Sequence, residues 1–390
     1  MRTLMSILLV VLLSACAAAP PPAQPTGLLA PDRFAAPTER VGTDDVLKVT
    51  DAMRRYLAVD IADQIRTKGA QAGLVDALYR RAQLKLEYDA ASTKTAAQAF
   101  DARSGNCLSL VLMTAALAHE LKLSVRYQSA YLEEAWSRSG NLLFASGHVN
   151  ITLGRRMLDA GTMRDYSPWT IDFLPAEEIR TLRVRDIDEN TVLAMYANNR
   201  AAEALARGKL DDAYAWAVEA LRKDPSFMNS YNTLGVVYLR HQDLALAERV
   251  FGYVLEREPR NTRALANIAE TYTRLDRVAD AAAARTRLAA IETVPPFHFF
   301  NLGLDAARQS DWRTARDFFA REVARADYNH EFHFWLGLAD WQLGNVAQAR
   351  KHLQLAIDNS TTRGQHDLYA AKLAWLQSRA KPEAARPTGS

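Results

Sequence analysis

Residues 228–259 read MNSYNTLGVVYLRHQDLALAERVFGYVLEREP. Tyr231, Leu234, Gly235 and Tyr238, then Ala247 and Phe251, recur at the three- and four-residue spacing of helices buried on one face. Glu258-Pro259 closes the stretch, because the residue before a proline is pushed out of the helical region. Working outward, small residues hold the same place every 34 residues: Ala213, Ala247, Ala281, Ala315 and Ala349. A second register repeats the step of 34 at Ala201, Gly235, Ala269, Gly303 and Gly337. Antiparallel helices approach closely only where side chains are small, so a helical hairpin explains both registers. The period predicts helix pairs from about 190 to 363, stacked as a right-handed array, with the five alanines buried. Residues 364–378, carrying Tyr369 and Trp375, read as a capping helix, and residues 380–390 as a polar, disordered tail.

The unit starting near Met228 resembles the tetratricopeptide repeat (TPR), with Tyr231, Leu234, Gly235, Tyr238, Ala247, Phe251 and Pro259 on its consensus places. The fourth unit keeps Phe299, Leu302, Gly303, Ala315 and Phe319, whereas Ala197 and Leu265 replace the early aromatic in the first and third. The resemblance implies an all-α solenoid over residues 190–379 whose concave face binds a protein or peptide partner.

The 390 residues are 49% apolar and 24% charged, which excludes a chain disordered throughout. The net charge is only +3 and no run of five like charges occurs, so no nucleic-acid footprint is present. Two cysteines exclude a disulfide framework. The N-terminus reads as an address: Met1-Arg2, then a largely apolar stretch from Leu4 to Leu13, too short to span a bilayer. Leu13-Ser14-Ala15-Cys16 resembles a bacterial lipobox, which implies a signal peptide over 1–15 and acylation of Cys16. Ala17 stands where such lipoproteins carry an inner-membrane retention aspartate, so the expected location is the outer membrane, facing the periplasm. The proline-rich segment 16–31 reads as an extended tether.

Residues 32–185 do not follow the period of 34. Asp44–Ala58, Leu74–Leu86 and Lys94–Ala102 read as helices, and the apolar run from Leu108 to Leu121 as a buried helix. Gly105-Asn106 is a turn signal that places Cys107 at the first turn of that helix. Unpaired N–H groups and partial positive charge there favour a thiolate and can hold an oxyanion. His119 lies twelve residues along the same helix, about 18 Å away, too far to act as its base. Ser124–Tyr131, His148–Leu153 and Trp169–Phe173 read as strands, so Cys107, His148 and a strand-borne aspartate can converge.

Gly105-Asn106-Cys107, the Ala/Leu-rich helix, the strand headed by His148 and Trp169-x-x-Asp172 are similar to the transglutaminase-like, papain-related superfamily, over roughly residues 45–175. The resemblance implies an α+β papain-like core ahead of the TPR solenoid, with Cys107 as nucleophile, His148 as base and acid, and Asp172 as the orienting carboxylate. Asp172 lies 24 residues beyond His148, which would make Arg155–Pro168 an inserted loop. Asp159 is the alternative third residue; its neighbour Gly161 marks it as a turn residue. Asn150, two residues after His148 on the same strand face, is a pocket candidate. The expected activity is thiol-dependent amide hydrolysis or acyl transfer on a peptide or protein; the alternative is a catalytically idle core serving with the array as a binding scaffold. No cofactor is implied. His330 and His333 share a helix face but lack a third metal ligand nearby, and read as packing residues.

Overall fold

The structure is a computed structural model that describes residues 27–79, 86–90, 92–131, 136–139, 142–145, 148–154, 168–173, 183–294 and 296–379. Cys16, Asp159, nearly all of the expected loop 155–168 and the tail 380–390 lie outside these residues.

The first domain is mixed α and β. Helices α1 (Asp51–Arg55), α2 (Ala62–Lys68) and α3 (Ala70–Tyr79) are followed by β1 (Glu87–Tyr88), α4 (Ala96–Ala102), β2 (Ser104–Gly105) and α5 (Cys107–Glu120). Every residue of α5 from Leu108 to Ala118 is buried, which makes it the central helix of the domain. Strands β3 (Ser124–Tyr131), β4 (Trp136–Ser139), β5 (Leu142–Ala145), β6 (His148–Gly154), β7 (Trp169–Ile171) and β8 (Arg183–Ile187) follow. Four of them form an antiparallel sheet in the order β7-β6-β3-β8, and β4 pairs with β5.

One helix expected from the sequence differs. The stretch Asp44–Ala58 is helical only from Asp51, where Thr50 accepts a capping bond from Met53 N–H, and it ends in a π-turn over Tyr56–Asp60. Residues 44–47 form turns and 48–50 have no regular structure, and Lys223 reaches Asp44 at 3.6 Å. Of Leu74–Leu86, the residues up to Tyr79 are helical and 80–85 lie outside the described residues; beyond them Glu87-Tyr88 pairs in parallel with Ser104-Gly105.

Five hairpins and a cap follow: α6 (Glu189–Ala206) and α7 (Leu210–Lys223), α8 (Met228–Arg240) and α9 (Leu244–Arg257), α10 (Thr262–Arg274) and α11 (Val278–Ile291), α12 (His298–Arg308) and α13 (Trp312–Arg325), α14 (His330–Gln342) and α15 (Val346–Asp358), and α16 (Arg363–Arg379). Ala213, Ala247, Ala281, Ala315 and Ala349 are all buried between helices. At Gly235 a methyl group would come within 2.4 Å of the Phe251 ring, and at Gly303 within 2.5 Å of Phe319. Overpacking of this kind costs about 1–3 kcal/mol. The turn inside each hairpin repeats as well: Gly208, Gln242, Asp276, Ser310 and Gly344, again 34 apart, all have positive φ. Among the described residues no helix is long and apolar enough to cross a membrane.

The segment ahead of α1 is fastened to the array. Leu28 is buried, Ala30 N–H donates to the hydroxyls of Tyr214 at 3.0 Å and Tyr238 at 3.1 Å, and Tyr238 donates to Leu28 O at 2.8 Å. Phe34 stacks on Tyr214 at 4.0 Å, and Glu39 accepts from Arg200 at 2.9 Å and Trp216 at 2.7 Å. Residues 27–31, read from sequence as tether, are therefore packed structure. The other end of the array also returns to the domain: Ala90 N–H donates to Thr361 O at 2.7 Å, and Arg363 lies 3.5 Å from Glu87. One apolar core runs from Leu28 to Ala284; a second joins the fourth and fifth hairpins, from Phe297 to Ala339.

Candidate active site

Cys107 is the first residue of α5. Asn106 caps the helix, accepting from Ser109 N–H at 2.9 Å and from the Ser109 hydroxyl at 2.8 Å, while its own amide donates to Thr93 at 3.0 Å. Such a cap is worth about 1 kcal/mol. Ser109 also accepts from Lys94 N–H at 2.8 Å, so the segment before α4 is tied to the same turn. Gly105 permits the approach: a methyl group there would lie 2.6 Å from Ser109 Cβ. The cap satisfies Ser109 N–H, and Leu110 N–H bonds Asn106 O. The N–H groups of Cys107 and Leu108 are the ones a helix start leaves for other partners. Cys107 is half-buried and unbridged.

His148 opens β6 and is buried. Its Nε2 lies 2.7 Å from Asp172 Oδ1. A carboxylate only accepts, so Nε2 carries the proton and Nδ1 is the nitrogen left for the thiol. The titratable partners of the ring are Asp172 and Cys107, both of them hydrogen-bonded to it. Burial, the largest single influence, opposes the charged ring; those bonds and the negative charge of both partners outweigh it and raise His148 to about 9. Asp172 follows β7 directly and is buried. Asn150 donates to its second oxygen, Oδ2, at 3.3 Å.

The structure thus brings Cys107, His148 and Asp172 together. His119 points elsewhere, 3.9 Å from Glu189. Sequence reasoning did not find the roles of Ser109 and Thr93 at the cap; the capping pattern of an asparagine two places before an apolar run was the available signal. Among the described residues no group of three His, Cys, Asp or Glu side chains is placed to hold a metal ion. His330 bonds the Tyr369 hydroxyl at 2.8 Å, whereas His333 faces His352 at 3.1 Å, so the two are separate packing contacts.

A tetratricopeptide-repeat family profile matches residues 232–291 and 300–363. The C-terminal half of the chain is a tetratricopeptide-repeat array, a form of solenoid that offers protein or peptide partners a binding surface. No curated protein matches the chain. Solved structures similar to it include Pseudomonas aeruginosa PilF, at 20% identity over 47% of this chain and 84% of that one, with a TM-score of 0.28. A thermophilic TPR protein of Thermus thermophilus is 16% identical over 46% of this chain and 99% of that one, with a TM-score of 0.29. YrrB, described as a TPR protein with an unusual peptide-binding site, is 21% identical over 46% and 92%, with a TM-score of 0.25.

Proposed function

We propose that this is a lipid-anchored protein of the bacterial cell envelope whose first domain is transglutaminase-like and transfers the acyl group of a peptide or protein amide through Cys107. The observation that carries the reading is the buried His148 ring, held at Nε2 by Asp172 at 2.7 Å with Cys107 as its other partner.

In this reading the Cys107 thiolate attacks the amide carbonyl carbon. The carbonyl π electrons move to oxygen, to which the N–H groups of Cys107 and Leu108 donate. His148 gives its Nδ1 proton to the amine nitrogen, the C–N bond breaks, and a thioester remains on Sγ. Water or a second amine attacks the thioester carbon and passes its proton to Nδ1; the C–S bond then breaks and the thiolate returns. Asp172 orients the ring and balances its charge throughout.

The array would deliver the partner. Its last turn meets the domain at Ala90, next to Asp89, whose N–H donates to Gly105 O at 3.0 Å, two residues before Cys107. A chain held at that end of the repeats would lie near the start of α5. Acylation of Cys16, read from Leu13 to Cys16, would hold the assembly at the outer membrane, facing the periplasm. Cys16→Ala should leave the membrane fraction or stay unprocessed; normal processing and membrane recovery of that variant would remove the anchor from the account.

The test of the chemistry is iodoacetamide labelling of Cys107 across pH, with His148→Ala and Cys107→Ala alongside. An activated pair predicts labelling that persists well below the ~8.5 of a free thiol, with His148→Ala moving the curve up toward it. A wild-type curve already at that value would leave the domain an idle platform beside a binding array.

A further inference from the structure

Strands β6 and β7 are antiparallel, with Ile151 paired to Ile171 and Thr152 to Thr170. One step further along this register, Asn150 stands across from Asp172. Its Nδ2 is 3.3 Å from Asp172 Oδ2, while Asp172 Oδ1 takes the His148 Nε2 proton at 2.7 Å. Only the nitrogen side of an amide can face a carboxylate, so the orientation of Asn150 is fixed by its neighbour. That orientation leaves Asn150 Oδ1 buried and, among the described residues, without a hydrogen-bond partner. Asn150 itself is only 2% exposed. An apolar side chain of the same size would spare this acceptor but take the donor away from the buried Asp172 carboxylate, so the amide belongs to Asp172 and not to the packing around it.

We propose that Asn150 is a positioning residue: its amide holds the Asp172 carboxylate in the rotation that presents Oδ1 to His148 Nε2. The proposal rests on the catalytic reading of Cys107, His148 and Asp172. Without the Nδ2 donor the carboxylate loses one of the bonds that set its turn about Cβ–Cγ, and the ring loses part of its orientation and of the support for its positive charge. The charged groups acting on the ring are Asp172, from the end of β7, and Cys107, from α5. The effect on the thiol is therefore carried through His148 and not by direct contact.

The experiment measures iodoacetamide labelling of Cys107 against pH, together with thermal unfolding, in full-length wild type, Asn150→Leu and His148→Ala. In Asn150→Leu the labelling midpoint should rise by about one pH unit, with labelling at pH 6 slowed about tenfold. The same variant should still unfold in one cooperative transition, so that a shifted labelling curve is not a loss of the fold. Should Asn150→Leu not fold, Asn150→Ser keeps a donor and Asn150→Ala does not; serine should hold the curve near wild type and alanine should move it. An unchanged curve in Asn150→Leu or in Asn150→Ala, with a wild-type curve that does depend on His148, would overturn the role of Asn150 alone. A wild-type curve indifferent to His148→Ala would overturn both the catalytic reading and this one.

Discussion

Cys107 is placed less by its own contacts than by those of its neighbours. Asn106 caps the helix, Ser109 ties it to Lys94, and Gly105 lets β2 pass close enough for both. His148 is a buried ring whose charge burial would suppress; Asp172 on one side and Cys107 on the other raise it to about 9. Much of this was legible in the chain. Gly105-Asn106 announces a turn, the apolar run after it a buried helix, and Trp169-x-x-Asp172 a strand that carries a carboxylate inward. The Asn150 to Asp172 bond was not legible, because it depends on the register between two strands that are separated in sequence by a long connection. A one-residue slip would turn Asn150 to the other face, and nothing local to His148 fixes that register.

At the scale of elements, the period of 34 governs more than the buried small residues. It also sets the left-handed residue in each hairpin turn, at Gly208, Gln242, Asp276, Ser310 and Gly344. Only two of these are glycine, so composition alone hides the pattern. The Asp44–Ala58 stretch has helical apolar spacing throughout, but residues 44–47 form turns closed by Val46 N–H to Thr43 O and Lys48 N–H to Asp45 O, and Val46 O accepts from Ala96 N–H, a tertiary bond that local spacing does not record. The last hairpin has an acid-sensitive seam between α14, α15 and α16. Burial pushes His330 down to about 4 and lowers His333 and His352 as well. His333 Nε2 donates to Asp327 O at 2.8 Å, so its Nδ1 accepts from His352 Nδ1 at 3.1 Å; protonating both rings would set two N–H groups face to face. Because the folded values lie below the ordinary 6.5, this stabilisation is present above about pH 6.5 and is lost as pH falls toward 4. Hydrogen-exchange protection factors should therefore fall in α14–α16 before they fall in α6–α9 between those pH values. Equal loss in both regions would show that the histidines do not govern this hairpin.

The whole molecule is joined at both ends of the array. The strap from Leu28 to Glu39 fastens the chain to the first two hairpins, and Thr361 closes the far end against Ala90. Between them, among the described residues, the apolar core breaks twice, after Ala284 and again between Ala339 and Leu353, where Leu353 packs with Leu373 and Leu376 of the capping helix. Neither junction was visible in sequence, since each joins residues far apart in the chain through main-chain and tyrosine contacts that leave no local pattern. This arrangement serves a catalyst or an idle scaffold equally well, and the charge on His148 decides between them. If Cys107 and Asp172 hold the ring as a catalytic pair and its support, its positive charge also stabilises the fold, fully below pH 6.5 and no longer once pH has risen through about 9. The direct measurement is titration of the His148 ring by 15N NMR in wild type and in Cys107→Ala. We expect the ring to stay an imidazolium at pH 8 and to titrate near 9, and Cys107→Ala to shift that titration downward. A ring that is neutral at pH 8, with a titration that Cys107→Ala does not move, would contradict the account.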